Sequence, residues 1–342
     1  MAKKKIKVLI TWRFDEPYIH RFTDISDDLD IMFRPARTYT DIQADTWASA
    51  DVLYTLNIFP PAESMPNLKW VQVHSAGVDK VLKQPVIAEQ PDLLLTTTSG
   101  IHATNIAEYA LGFILMFGHR VPNMMNSQRE KEWADDRHET FLPMELRHAT
   151  VGIVGYGAIG REIARLVKTF GGKVLASKRD AKTVEDREHF AFEETGDPEG
   201  VKFDRLYPPQ ALATMVRDCD FVVITLPLTE STANLFDAKV VKAMKPGSYL
   251  INVGRGGIVD EDAVLDGLQS GKIAGAAFDV FAEEPLPEDH PLWDAPNMII
   301  TPHISGNTPD YDAKAALVFE ENLRRYVEGE PLLNKVNWDV GY

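Results

Sequence analysis

Val151-Gly152-Ile153-Val154-Gly155-Tyr156-Gly157-Ala158-Ile159-Gly160 is the stretch that decides the fold. Glycines at 155, 157 and 160 stand in the GxGxxG spacing, which by itself arises often by chance. Here it closes an apolar strand, TVGIV (150–154), and opens a helix, AIGREIARLVKTF (158–170), the context that gives the spacing meaning. Gly155 permits the tight turn, Gly157 lets backbone approach a pyrophosphate, and Gly160 lets helix and strand pack closely. The N–H groups around Ala158 and Ile159 point with the positive end of the helix dipole toward the phosphates. The segment therefore predicts a dinucleotide site on a βα turn. A glycine-rich turn without a ligand is the bland alternative.

An acidic residue about 20 positions on would hold an adenine-ribose hydroxyl. The next strand, KVLAS (173–177), runs instead into Ser177, Lys178 and Arg179. A carboxylate there would repel a 2′-phosphate, whereas these side chains can bind one. This favours NADP. Asp180, close enough to act as a displaced ribose ligand, leaves NAD open.

Working outward, further strands are predicted at 220–225, 248–253, 273–278 and 298–301, with helices at 209–217, 237–244 and 260–270. Residues 180–207 interrupt this series and read as a charged surface insertion, with room for a local hairpin. Before the fingerprint, apolar runs at 6–11, 30–33, 51–56, 69–74 and 93–97 alternate with helix-compatible segments, again a βαβ pattern around a parallel sheet. Residues 104–131 read as one long helix. At 308–328, Ala315, Ala316, Val318, Phe319, Leu323 and Val327 suit an amphipathic helix. The fold class is α/β.

At 342 residues there is chain for about two domains. A hydrophobic share of 44% excludes a disordered chain. The net charge of −15 makes nucleic acid and anionic membrane poor partners, and a phosphorylated ligand would need a local exception to that field. Cys219 is the single cysteine, so neither an intrachain disulfide nor a thiolate metal cluster can form, and no metal is expected. It reads as a small buried residue. The apolar stretch YALGFILMFG (109–118) would span about 15 Å as a helix, half a bilayer core. A basic start, MAKKKIKVLI, faintly mimics a signal peptide, but its apolar run is too short. A cytoplasmic protein is expected.

Three further segments each follow a predicted strand, at the carboxyl end where open α/β sheets place ligands. They are LINVGRGGIVDEDAVLDGL with Arg255, AAFDVFAEEPLP with Glu283 and Glu284, and NMIITPHISG with His303. Singly, each residue reads as a surface charge or a turn side chain. Together, an Arg that forks a carboxylate, a His that exchanges a proton and an acid that orients the His suit proton transfer on an oxygen beside a carboxylate.

With these residues in view the chain resembles the D-isomer-specific 2-hydroxyacid dehydrogenases. The likeness runs through LKWVQVHSAGVD, SGIHATNIAEYALGFIL, VGIVGYGAIG, LPLTESTANLF, NVGRGGIVDEDAV, DVFAEEPLP and PLWDAPNMIITPHISG, most of residues 50–325. It implies that His303 is the general acid/base and Glu284, directly before Pro285, its carboxylate partner. Arg255 would bind the substrate's carboxylate and carbonyl oxygen, with backbone N–H groups of Ser75, Ala76 and Gly77 on the carboxylate's other side. Asp279 would contact the nicotinamide carboxamide, and Leu226 and Pro227 would line the adenosine side. The implied reaction is hydride exchange between NADP(H) and a small 2-keto or D-2-hydroxy acid.

The resemblance also implies two Rossmann-like domains with a cleft between them. A flavodoxin-like substrate domain would comprise 1–104 and 305–342, and a dinucleotide-binding domain 105–304. A homodimer is implied, with QREKEW (128–133) at the contact; Trp133 would either reach the partner's site or pack in its own interface. Departures are ELRHATVG (145–152), where the family commonly has Gly-Lys, and Ser177-Lys178-Arg179, which resembles NADP-preferring members. The loop Asn57-Ile58-Phe59-Pro60-Pro61, implied to face the substrate side chain, has no Lys or Arg, which disfavours phosphoglycerate. Two other readings keep the fold: a formate- or phosphite-type dehydrogenase, and a dinucleotide-sensing interaction protein. Formate has no C2 oxygen to protonate, which argues against the first; the absence of long tails argues against the second.

Overall fold

A computed structural model describes residues 4–78, 80–90 and 92–338. The chain divides into two compact units: Met1–Ile101 with Arg187–Ala191 and Thr308–Tyr342, and His102–Asp186 with Phe192–Asn307.

The first unit holds a five-stranded parallel sheet of β1 (Ile6–Ile10), β2 (Leu29–Phe33), β3 (Val52–Thr55), β4 (Trp70–Val73) and β5 (Leu94–Thr96), in the order β2-β1-β3-β4-β5. That is the flavodoxin-like order, with a topological switch point between β1 and β3. The strands are apolar on both faces because both are covered. One face packs Val8, Ile10, Val52 and Tyr54 against Ala316, Phe319 and Leu323 of the final helix, Tyr311–Glu328. The other packs Leu9, Leu53, Val71 and Val73 against Trp47, Val86 and Ile87.

The second unit holds a seven-stranded parallel sheet of β6 (Thr150–Val154), β7 (Lys173–Ser177), β8 (Arg205–Tyr207), β9 (Phe221–Ile224), β10 (Ser248–Asn252), β11 (Ile273–Phe278) and β12 (Met298–Ile300). Its order is β12-β11-β10-β9-β6-β7-β8, with the switch point between β6 and β9. Alternate residues of β9 serve opposite faces: Val222 and Ile224 join one core, Phe221 and Val223 the other. The second core also receives Ala107, Ala110, Ile114 and Phe117 of the helix Ala103–Gly118, and Ile163, Ala164 and Val167 of Ala158–Thr169.

Three expectations are corrected. Residues 104–131 are two helices, Ala103–Gly118 and Val121–Glu130, broken where Arg120 adopts φ 57°. Pro122 follows at the start of the second helix, a position that its missing N–H tolerates. Residues 209–217 are not one helix but a 3₁₀ turn, a four-residue helix and a second 3₁₀ turn. The insertion ends in strand β8, paired with β7, and no hairpin forms among the described residues.

Nor does that insertion merely lie on the surface. Arg161, only 2% exposed, donates to Val184 O at 2.7 Å and to Asp197 O, and pairs with Asp186 at 3.4 Å. Tyr156 donates its hydroxyl to Asp197 at 2.7 Å, and the buried Glu162 accepts Gly196 N at 2.6 Å. The fingerprint turn and helix thus clamp the insertion through buried charges. Within the first unit, Phe190 N donates to Asn334 Oδ1 at 2.9 Å and Asn334 N to Glu188 O at 2.8 Å.

One device recurs at the amino ends of the strands. Asp51, Asp204 and Asp220, each immediately before a strand, accept the N–H of Lys7, Val174 and Thr150 at 3.1, 2.7 and 2.8 Å. Each also pairs with a lysine: Lys69, Lys168 and Lys245, respectively. Burial pushes the Asp51 and Asp204 carboxyls up, but the N–H donors and ammonium groups outweigh it, and both lie below the ordinary 3.8. Their stabilisation is therefore complete above that value and lost as pH falls through the lowered one. Urea titrations from pH 7 to 3 should show Asp51→Asn losing less stability on acidification than the parent; an equal loss would exclude this carboxylate as a source of acid sensitivity.

Candidate active site

At the carboxyl end of β6, Gly155 has φ +110°, and a Cβ there would lie 2.9 Å from Thr225 Oγ1. A Cβ on Gly160 would meet Gly155 O at 2.1 Å and Ile153 Cγ2 at 3.0 Å, so only glycine admits this helix–strand approach. A Cβ on Gly157 would meet nothing within 4 Å, leaving room above the turn. No side chain caps the helix that starts at Ala158, so its leading N–H groups are available to a ligand. Ser177 ends β7 beside the turn, where Gly155 N donates to its O at 3.1 Å, and Lys178 and Arg179 follow. Leu226 and Pro227 follow β9 on its other side, and Thr225 donates to Gly155 O at 2.7 Å. This set fits a dinucleotide pyrophosphate and its adenosine.

Three adjacent strands supply the chemical groups. Beyond β12, His303 takes φ +54° and its Nδ1 lies 2.7 Å from Glu284 Oε2. A carboxylate oxygen as acceptor here would place the hydrogen on Nδ1 and leave Nε2 for proton exchange. Glu284 is fixed in turn by Phe281 N, which donates to Oε1 at 2.9 Å. The two side chains are 49% and 36% exposed, so a ligand can reach them.

Asp279, at the end of β11 and wholly buried, holds the histidine turn. It accepts Thr301 Oγ1 at 2.7 Å, Ile304 N at 2.9 Å and Ser305 N at 2.9 Å. His102 against Gly306 O at 3.1 Å and Asn105 donating to Asn307 O at 2.8 Å pin the far side of the turn. Beyond β10, Asn252 holds the Arg255 loop by accepting Gly254 N and donating to Arg255 O, both at 3.1 Å. The Arg255 guanidinium donates to Gly254 O at 2.8 Å. A Cβ on Gly256 would lie 1.8 Å from Phe281 C, so the Arg255 loop abuts the segment that carries Glu284.

In the first unit, Ser75, Ala76 and Gly77 follow β4, and Ser75 Oγ closes their turn on Gly77 O at 2.8 Å. The preceding residue is heavily anchored. His74 O accepts the hydroxyls of Thr98 at 2.9 Å and Tyr311 at 3.0 Å, and its ring sits between Tyr54 at 2.7 Å and Asp312 at 3.2 Å. Sequence reading missed this anchor, as it missed Asn252 and the bracing bonds of Asp279. Double glycine after Arg255 was the one available signal for the close approach at Gly256.

The model of the D-isomer specific 2-hydroxyacid dehydrogenase NAD-binding domain matches residues 111–305. The chain belongs to this family. A glyoxylate/hydroxypyruvate reductase B of Pectobacterium carotovorum is 33% identical over 278 residues, 80% of this chain and 81% of that one. A glyoxylate reductase of Aeropyrum pernix is 32% identical over 302 residues, 85% and 84% of the two chains. Among solved structures, a D-isomer specific 2-hydroxyacid dehydrogenase of Xanthobacter autotrophicus in complex with NADPH and MES matches with a TM-score of 0.78 at 27% identity, covering 99% of this chain and 100% of that one. The family's NAD(P)-dependent chemistry and the α/β fold with five- and seven-stranded parallel sheets are therefore properties of this protein.

Proposed function

We propose that the protein reduces a small 2-keto acid of the glyoxylate or hydroxypyruvate kind to the D-2-hydroxy acid, with NADPH preferred. The observation that carries this reading is the Glu284–His303 pair, set on strand ends beside Arg255 in the same unit as the glycine turn. Relatives that act as glyoxylate or hydroxypyruvate reductases support the substrate class. When bound, the nicotinamide supplies hydride to the keto carbon. Arg255 forks the substrate's carboxylate and polarises the carbonyl oxygen. Nε2 of His303 gives that oxygen a proton, and Glu284 steadies the ring and the charge it carries beforehand. Oxidation runs both transfers backwards. The N–H groups of Ser75, Ala76 and Gly77 are assigned to the substrate's carboxylate, and Asp279, besides bracing the turn, to the carboxamide.

The NADPH preference rests on Lys178 and Arg179. Asp180, the rival ribose ligand, already accepts Lys182 N at 2.9 Å and the Thr183 hydroxyl at 2.6 Å. Initial rates at 340 nm with glyoxylate, hydroxypyruvate, pyruvate and phenylpyruvate, each with NADPH and NADH, test the whole reading. Turnover of at least one acid, faster with NADPH, is expected; NADH preference overturns the cofactor assignment, and no turnover overturns the activity. Replacing Lys178 and Arg179 by alanine should lower kcat/KM for NADPH about 10–100-fold, the worth of charge-assisted bonds to a phosphate. An equal loss with NADH would mean general damage instead.

A cytoplasmic homodimer is part of the proposal. No helix among the described residues is long and apolar enough to cross a membrane. Met124, Met125, Trp133 and Leu142 are 42%, 43%, 83% and 66% exposed within one short stretch, an apolar surface that a second copy would cover. Light scattering should give twice the 38.3 kDa chain mass.

A further inference from the structure

We propose that a crevice at the carboxyl ends of β1 and β3 is a subsite for a second anionic group on the substrate, held by Arg13 and Arg37. It rests on the reading above that the protein is a 2-keto acid reductase whose first unit takes the substrate, and it names the tail that substrate carries.

The crevice measures about 590 Å³ and is lined from three strand ends: Thr11, Trp12 and Arg13 after β1, Pro35, Ala36 and Arg37 after β2, and Leu56, Asn57 and Ile58 after β3. It lies at the switch point of the sheet, where a parallel α/β layer opens a gap for ligands. Its size is that of a small-molecule site. Among the described residues, neither guanidinium makes a hydrogen bond or an ion pair with protein. The crevice has one carboxylate, Asp41, whose Oδ2 accepts the N–H groups of Thr38 and Arg37, both at 2.8 Å; these bonds and the Arg37 charge hold its carboxyl below the ordinary value. Arg13 also borders a neighbouring hollow that carries Asp15 and Glu16, and neither lies within ion-pair distance of it.

Two exposed guanidiniums line this one crevice beside a single carboxylate, in a chain of net charge −15. They give the local reversal of field that an anionic ligand would need. The walls are firm. Trp12 stacks on His74 with ring centroids 4.1 Å apart and donates to Asp312 at 3.0 Å, and Ile58 N donates to Thr55 Oγ1 at 3.0 Å. The loop 57–61 has no cation of its own, and a reading confined to it disfavours phosphoglycerate. Topology brings it two, from strand ends 20 and 44 positions earlier, counting from Asn57 to Arg37 and Arg13. Planar guanidiniums suit a carboxylate or a phosphate alike.

The test compares 2-oxoglutarate with 2-oxopentanoate, the same carbon chain without the terminal charge, and adds a 2-keto acid ending in phosphate. At low salt the charged tails should raise kcat/KM at least about tenfold, and added salt should shrink that ratio. In Arg13→Gln/Arg37→Gln the ratio should fall toward one, a change that general misfolding would not produce because it lowers both rates together. Carboxylate and phosphate tails compared side by side identify the terminal group. A parent enzyme indifferent to the terminal charge overturns the proposal, as does a preference that survives the double substitution. If no 2-keto acid is turned over, the reductase reading fails separately. Calorimetric binding of 2-oxoglutarate then decides the crevice: binding to the parent and not to the double variant upholds it, and no binding to the parent overturns it.

Discussion

Replacing His303 by alanine should lower turnover about a hundred- to ten-thousand-fold, the range that a positioned acid/base contributes, and should leave dinucleotide affinity unchanged. The separation of the two effects follows from how the turn is built. His303 sits at φ +54°, and Asp279 enforces that backbone by accepting Ile304 N and Ser305 N. None of those bonds involves the imidazole, so the turn survives its removal. The glycine turn belongs to β6, separated from β12 by three strands of the sheet, β11, β10 and β9. Stopped-flow turnover and fluorescence titration of NADPH on the same preparation check both halves. A variant with near-normal turnover would sink the acid/base role, and one that has also lost dinucleotide would show damage beyond the side chain.

Gly256→Ala has the second largest expected effect, and it acts through packing. The added methyl would stand 1.8 Å from Phe281 C, 2.1 Å from Phe281 O and 2.3 Å from Ala282 N. All three are backbone atoms, which cannot rotate away as a flexible side chain would. Overpacking of this kind costs about 1–3 kcal/mol and sometimes more. Relief requires the Arg255 loop and the 279–284 segment to part, and both carry proposed catalytic groups. The variant should therefore melt lower and lose kcat/KM out of proportion to its remaining folded fraction. Gly257→Ala is the control: its methyl meets only Leu228 side-chain atoms at 3.4 and 3.5 Å. Similar behaviour of the two variants would refute the close approach as the cause.

Most of the second unit was legible because its signals are local. The strand TVGIV, three spaced glycines and an amphipathic helix lie within twenty residues; Gly155 and Gly160 have the close neighbours their assumed purposes require, and Gly157 faces open space. Strand β8 was illegible: three residues, one of them Arg205, followed by two prolines, show no usable period. The break at Arg120 falls where the apolar stretch 109–118 gives way to His119-Arg120-Val121-Pro122, and reading one helix through it overlooked that proline. Arg255, Glu284 and His303 could be picked out as a chemical set, but their bracing could not, since Asp279 works through bonds reaching 22 to 26 positions along the chain. Arg13 and Arg37 were unreadable for the same reason, because only sheet order makes them neighbours of the loop 57–61.

The aspartates that precede β3, β8 and β9 sit at the amino ends of the strands, opposite the carboxyl ends that bear the proposed ligand groups. Part of what resists unfolding is thereby kept apart from the proposed substrate groups. Selection for a new 2-keto acid would act on loops such as 11–13, 35–37 and 56–58, none of which holds these carboxylates. A library of variants confined to those loops should retain a high proportion of folded members, whereas one of equal size spread over the opposite edges should lose most of them. Substrate range could then drift widely within this architecture at little cost to its thermal tolerance.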